Sequence, residues 1–228
     1  MTGADLRAAF ELPTLEVARL LLGVRLVREP LPADGLAAHR RVGRIVEVEA
    51  YLGPTDRASH ARNGPTPRNQ AMYGEAGRAY VYLVYGMYHC LNVVTGPPGE
   101  PHAILIRAVE PLEGIDEIRA ARLAAERRSR RALTPADLER IAARLAATPV
   151  ARLAAGPGLV GAAFSLDRTL TGADLLDPGQ PVHLEAAIPG EVAPRIAESP
   201  RVGIAYAGEP WVGRPWRFAI AGNPSVSR

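Results

Sequence analysis

The chain has 228 residues, 47% of them hydrophobic, which is enough to bury an ordinary core without disulfides or a structural metal. Its net charge is +3 and all 27 basic residues are arginine, so mechanisms that need a lysine Schiff base or a P-loop lysine are excluded. One cysteine, Cys90, excludes an internal disulfide, and the five histidines lack the spacing of zinc ligands.

The sequence also bears on where the protein works. No apolar run reaches the roughly 18 residues that span a bilayer, and the start, MTGADLRAAFELP, lacks the basic-then-apolar layout of a secretion signal. We therefore expect an intracellular, cytoplasmic protein with no membrane partner. Arginine grips phosphate bidentately, so the modest net charge still permits nucleic-acid binding.

The first predicted element is a short helix over residues 13–23, where apolar residues recur about every 3.6 positions. Thr14 is its predicted N-cap and Gly23 its stop. An extended stretch, residues 24–28, and a loop, residues 30–35, are predicted to follow.

Residues 42–51 alternate in character and predict a β-strand with one face packed inward and the other lining something polar. The first face carries Val46, Val48 and Ala50, and the second carries Glu47, Glu49 and Tyr51.

A long loop is predicted over residues 52–79, and loops of that length are more often functional than idle. Two strands, residues 79–84 and 89–94, flank YGMY and predict a tight hairpin around Gly86 with Tyr85 near its tip.

Another apolar strand, HAILIRAVEP, is predicted to end in Arg107. A helix over residues 115–131 and a second helix with Thr134 as N-cap, Pro135 at N1 and Asp137 at N3 should follow. Residues 156–228 are Gly/Pro-rich, with short strands such as PVHLEA and RFAIAG. This order of elements predicts a mainly antiparallel mixed sheet.

Six of the seven tyrosines lie between residues 51 and 88, which predicts a stacking surface near Glu49. Flat rings beside an acid suit the binding of a planar heterocycle while water is activated next to it. Tyrosine also favours strands generally, so ordinary sheet residues are the alternative.

Glu49 is the candidate catalytic base, because a strand face shared with Tyr51 would desolvate and aim it. The alternation alone favours a solvated edge-strand glutamate paired with Arg44 or Arg107. A sugar hydrolase using Glu47 and Glu49 is disfavoured, since side chains two residues apart on a strand point the same way instead of flanking a bond.

Tyr85, at a hairpin tip, suits a wedge that displaces a base, while Tyr51, Tyr82 and His60 could stack on the extruded ring.

Asn92 could bond a base edge or make a cross-strand hydrogen bond. Arg107 could bind phosphate or pair with Glu110.

Four runs carry a closer resemblance, in the same order over nearly the whole chain: EVEAYLGPTDRASHARNGPTPRN, AYVYLVYGMYHCLNVVT, ILIRAVEPLEG, and RVGIAYAGEPW with RPWRFAIAGNPSVS. They resemble the alkyladenine (3-methyladenine) DNA glycosylase family. The resemblance implies an α+β, single-domain mixed fold over residues 1–228, with a curved, mainly antiparallel sheet, surrounding helices and a protruding β-hairpin.

The resemblance also implies a monomeric, monofunctional glycosylase of base excision repair that uses no metal or cofactor. Such an enzyme flips alkylated or deaminated purines out of double-stranded DNA, hydrolyses the N-glycosidic bond and leaves an abasic site. Examples of its substrates are 3-methyladenine, 7-methylguanine and hypoxanthine. In a bacterium it would be nucleoid-associated. Without lysine, strand cleavage through an imine should be absent.

Residue by residue, the resemblance implies that Glu49 is the general base and that Arg107 contacts the DNA backbone near the site. The other implied roles are base-pocket walls for Tyr51, His60 and Tyr82, discrimination against guanine for Asn92, and intercalation for Tyr85. Residues 156–166 lack the family's usual lysine, and His89 replaces an aromatic or apolar residue. A non-enzymatic lesion binder on the same fold remains the competing hypothesis.

Overall fold

A computed structural model describes residues 3–30, 39–129, 132–188 and 193–227. Most of the loop predicted at residues 30–35 lies outside these ranges, as do the last two residues of the helix predicted at 115–131.

The strands are β1 (Arg25–Arg28), β2 (Arg41–Leu52), β3 (Ala79–Val84), β4 (Tyr88–Thr95), β5 (His102–Glu113), β6 (Val182–Glu185), β7 (Ile196–Ser199) and β8 (Arg217–Ile220). They form an antiparallel sheet with the order β3-β4-β5-β2-β1-β6; β8 also pairs with β2, and β7 pairs with β8. All the described strand pairs are antiparallel, and with the helices they confirm the predicted α+β class.

Strand β2 lies inside the sheet. It pairs with β5 along most of its length, with β1 at its start and with β8 at residues 47–49. Val48 and Ala50 pack in the main core, as the alternation predicted, but at the bulge near Glu47 it is Ile45 and not Val46 that joins them. The edge-strand interpretation of Glu49 is therefore wrong, because both sides of β2 are hydrogen-bonded to neighbouring strands.

The helices are α1 (Gly3–Ala9), α2 (Thr14–Leu20), α3 (Ile115–Ser129), α4 (Pro135–Ala147) and α5 (Pro157–Ala163). The start of α4 is as predicted: the Thr134 side chain accepts from the Asp137 N–H at 3.2 Å and the Asp137 carboxylate accepts from the Thr134 N–H at 3.0 Å.

Thr14 is not the N-cap of α2; Pro13 occupies that position. The Thr14 hydroxyl is buried and lies 3.1 Å from the hydroxyl of Thr95 and 3.2 Å from Nδ1 of His102. This contact with the sheet takes the side-chain oxygen that a cap would need.

Helix α5 was not predicted, because its segment is rich in glycine. Gly161 explains the composition: a Cβ added there would lie 2.0 Å from the carbonyl oxygen of His89 on β4. The glycine lets the helix pack directly on the strand backbone.

The predicted hairpin is confirmed as β3 and β4, with a turn at residues 85–87. Tyr85 has φ of 52° and Gly86 has φ of 69°, and the Tyr85 side chain is 86% exposed. Strand β5 continues to Glu113, so Arg107 lies within it and not at its end.

In the described part of the chain, no helix has the length and apolar character needed to cross a membrane.

Candidate active site

A cavity of about 580 Å³ opens between β2, the hairpin, the loop after β2 and residues 202–206. Its lining brings together residues that are far apart in the sequence. All the predicted site residues are among them: Glu49, Tyr51, His60, Tyr82, Tyr85, Asn92 and Arg107.

The Glu49 side chain lines this cavity and has no surface exposed to bulk solvent. Its Oε2 accepts a hydrogen bond from the Tyr51 hydroxyl at 2.8 Å. Its Oε1 accepts from the Val202 backbone N–H at 2.7 Å and lies 3.3 Å from Nη1 of Arg107. The predicted solvation of Glu49 is therefore wrong, whereas its predicted pairing with Arg107 is present.

Arg107 is buried and contacts two carboxylates. Its Nε donates to Oε1 of Glu47 at 2.9 Å, while its Nη1 faces Glu49. Glu110 instead pairs with Arg44, at 2.6 Å, so the alternative Arg107–Glu110 pair is not formed.

Glu47 lies outside the cavity lining, and its oxygens accept from Arg107, Arg217 and Ser227. Burial alone would raise the pKa of Glu47, but the Ser227 N–H, the Arg217 guanidinium and the Arg107 charge hold it below its usual value. A carboxylate bonded in this way is poorly placed to attack a sugar, which argues against the two-glutamate sugar hydrolase.

Aromatic rings form the cavity wall. The rings of His60 and Tyr82 meet edge to face with centroids 4.5 Å apart, and Nδ1 of His60 lies 2.9 Å from the Tyr80 hydroxyl. Burial, with the charges of Arg68 and Arg62, lowers the pKa of His60 to about 4. The imidazole is therefore neutral at physiological pH.

Both wall tyrosines are also neutral. Burial, with the nearby Glu49 charge, raises the pKa of Tyr51 well above its usual value. Burial is likewise the main cause that raises the pKa of Tyr82.

Asn92 makes the cross-strand hydrogen bond that was one of its two predicted options: its Nδ2 donates to the Tyr80 carbonyl oxygen at 3.0 Å. This bond fixes the amide side chain at the cavity wall, where it can also face a ligand.

Some residues of the site were not predicted. The Val202 N–H that binds Glu49 is a backbone group, so the residue type at position 202 does not reveal it. Arg201 stacks over Tyr51, with its guanidinium carbon 4.7 Å from the ring centroid, and Ser227 binds Glu47 from 180 positions away. Only the fold brings these segments together.

His89 lies outside the main cavity. It lines a smaller one of about 280 Å³ beside the hairpin turn, together with Arg168. Burial is the main cause that lowers its pKa. The start of the lysine-free segment 156–166 lines the main cavity through residues 156–159.

Within the described ranges, no cluster of three or more His, Cys, Asp or Glu side chains could hold a metal ion. Metal-free catalysis remains a prediction.

A buried carboxylate on the floor of an aromatic cavity, in an α+β fold, is the arrangement expected of an enzyme that binds a flat ligand. The sequence matches the methylpurine-DNA glycosylase family over residues 8–224. It is 42% identical to a protein of Methanocella arvoryzae (97% of this chain, 94% of that one) and 41% identical to one of Bacillus cereus (96% of each chain). A protein of Anaeromyxobacter dehalogenans is 42% identical, over 97% of this chain and 86% of its own. All three are provisionally named 3-methyladenine DNA glycosylases.

The chain therefore belongs to the methylpurine-DNA glycosylase family, as its sequence motifs indicated, and is a DNA glycosylase. Membership identifies DNA as its substrate and hydrolysis of an N-glycosyl bond as its reaction.

Proposed function

We propose that residues 1–228 form one glycosylase domain that acts as a monomer on double-stranded DNA inside the cell, at the nucleoid in a bacterium. It flips out alkylated purines such as 3-methyladenine and 7-methylguanine, and deaminated purines such as hypoxanthine. It then hydrolyses the N-glycosidic bond and leaves an abasic site. The observation that carries this proposal is the Glu49 carboxylate, held by Tyr51 and Val202 at the floor of the aromatic cavity.

The cavity wall suits a cationic base. A purine alkylated at N3 or N7 carries a positive charge, and the faces of aromatic rings attract cations. Tyr51, whose ring is stacked on Arg201, and Tyr82 supply such rings, and His60, neutral because its pKa is about 4, adds no further charge to that of Arg68 at the wall. The same positive charge makes the base a good leaving group. The enzyme therefore has two demands to meet: to activate the water and to stabilise the sugar as the bond breaks.

Glu49 meets both demands. A carboxylate offers about four lone-pair sites; hydrogen bonds from Tyr51 and Val202 take two of them, and Arg107 lies 3.3 Å away, so a site remains for a water that enters through the cavity. As base, Glu49 takes a proton from that water, and its negative charge stabilises the oxocarbenium-like sugar as the base departs.

Tyr85 supports the flipping step. A flipped purine leaves a gap in the duplex that an aromatic side chain can fill. Tyr85 is 86% exposed on the hairpin turn and also lines the cavity, which supports the proposal that it acts as this wedge.

The reaction should stop at the abasic site. The chain contains no lysine to form an imine with the opened sugar. We expect alkali-labile sites after incubation, and no covalent adduct when borohydride is present.

A panel of duplexes tests this function. The protein is incubated with otherwise identical duplexes carrying 3-methyladenine, 7-methylguanine, hypoxanthine, ethenoadenine or no lesion, and free base and abasic sites are measured. We expect release from alkylated duplexes and none from the undamaged one. Binding to lesion duplex without any release would support the non-enzymatic binder and contradict the proposal.

A further inference from the structure

Below the cavity, a second carboxylate, Glu47, accepts a network of hydrogen bonds that has no role in the chemistry proposed above. Glu47 is fully buried, and its Oε1 accepts from Nε of Arg107 at 2.9 Å and from Nε of Arg217 at 2.7 Å. Ser227 donates twice: its N–H to Oε2 at 2.6 Å and its hydroxyl to Oε1 at 2.8 Å. Four hydrogen bonds at one buried carboxylate define its position closely.

Arg107 connects this network to Glu49. The guanidinium lies between the two carboxylates, with the shorter contact, 2.9 Å, to Glu47 and the longer, 3.3 Å, to Glu49. A buried guanidinium with only one carboxylate in reach would settle into a close bidentate pair with it. Glu47 therefore holds Arg107 back from Glu49.

The distance matters for a base. A cation in close contact with a carboxylate stabilises its charged form and weakens it as a proton acceptor. It would also occupy the lone-pair site that the attacking water needs. Holding Arg107 at 3.3 Å orients Glu49 while leaving that site to water.

Ser227 is itself fixed. Nη1 of Arg152 donates to the carbonyl oxygens of Val226 at 2.9 Å and Pro224 at 3.1 Å, and the Ser227 hydroxyl lies 3.3 Å from Nη2 of Arg107. One serine thus contacts both members of the Glu47–Arg107 pair.

We propose that Glu47 and Ser227 are positioning residues that set where Arg107 lies and thereby keep Glu49 available as a base. Neither touches the substrate. The inference rests on the proposed role of Glu49 in water activation.

The segment around Ser227 provides a matched test. Ser227→Ala removes one hydroxyl from the network, Ser227→Thr keeps a hydroxyl, and Ser225→Ala removes a buried hydroxyl that has no partner among the described residues. We expect Ser227→Ala to lower the single-turnover rate about 10-fold with lesion-duplex Kd changed less than about 2-fold. Ser227→Thr should recover most of the rate, and Ser225→Ala should match the wild type.

Glu47→Gln tests the carboxylate directly. We expect its rate to fall about 100-fold or more at unchanged Kd, because Arg107 and Arg217 lose their shared counter-charge. If this variant does not fold, as circular dichroism will show, the serine variants still decide the question.

Glu49→Gln and wild type are assayed in parallel. A wild type that releases no base, or an active Glu49→Gln, overturns the proposed function and this inference with it. If wild type is active and Glu49→Gln is not, wild-type rates in Ser227→Ala overturn this inference alone. The inference is also overturned if Ser227→Ala weakens lesion-duplex binding as much as it lowers the rate, or if Ser225→Ala lowers the rate equally. Either result would show a general structural role.

Discussion

Asp56 and Arg201 form a bidentate ion pair in which neither side chain has any exposed surface. The pair joins the loop after β2 to the segment that follows β7. Arg201 also lies 4.7 Å above the Tyr51 ring, and the next residue, Val202, donates to Glu49. The pair thus holds in place two of the groups that contact the proposed base.

Asp56→Asn should destabilise the protein by about 3–5 kcal/mol, because it leaves the Arg201 charge buried without a counter-ion. Denaturant unfolding measures the change. Asp116→Asn, at an exposed position in the first turn of α3, is the matched control and should cost less than about 1 kcal/mol. Equal small losses of unfolding free energy in the two variants would show that the Asp56–Arg201 pair contributes little to stability.

His60 should make the protein sensitive to acid. Because burial, Arg68 and Arg62 lower its pKa from 6.5 to about 4, the unfolded chain binds a proton on His60 at a higher pH than the folded protein does. The contribution of neutral His60 to stability is present above about pH 6.5 and is lost as the pH falls towards about 4.

Replacing His60 with Asn removes this titration. Between neutral pH and about pH 4.5, the variant should lose about 2 kcal/mol less of its unfolding free energy than the wild type. His39→Asn, at an exposed position, is the control and should behave like the wild type. Parallel pH-dependence in His60→Asn and wild type would contradict the assignment of a neutral buried imidazole.

Tyr85→Ala tests the wedge. The side chain is 86% exposed, so its loss should change the unfolding free energy by less than about 0.5 kcal/mol. Base–aromatic stacking contributes about 1–3 kcal/mol, so we expect lesion-duplex affinity to fall about 5- to 150-fold. Tyr85→Phe keeps the ring and should bind nearly as wild type does; equal affinity in all three proteins would exclude a stacking role.

Much of the fold was predictable because local signals agreed with it. The alternation of β2 predicted its core face correctly from Val48 onward, beyond the bulges near Glu47, and Gly86 marked the hairpin turn. The predictions failed where tertiary contacts overrode local preference. The Thr14 hydroxyl bonds to Thr95 on the sheet and does not cap its helix. Gly161 lets a helix pack against the His89 backbone, where the glycine-rich composition suggested a loop.

The candidate site was predictable in residue type but not in environment. Tyrosine density and the motif around Glu49 identified the cavity lining. The burial of Glu49 depends on β8 and on the segment at Val202, more than 150 residues away, and no local pattern encodes such contacts. The alternation alone therefore favoured a solvated glutamate.

The single-turnover rate of Glu49→Gln on a duplex with one 3-methyladenine tests the central claim most directly. Gln keeps the shape of the side chain but cannot accept a proton, so base release should fall by at least about 100-fold while the variant still binds the duplex. Glu75→Gln, an exposed glutamate paired with Arg78, is the matched control and should retain the wild-type rate. Release by Glu49→Gln within a few-fold of wild type would contradict the assignment of Glu49 as the base that activates water.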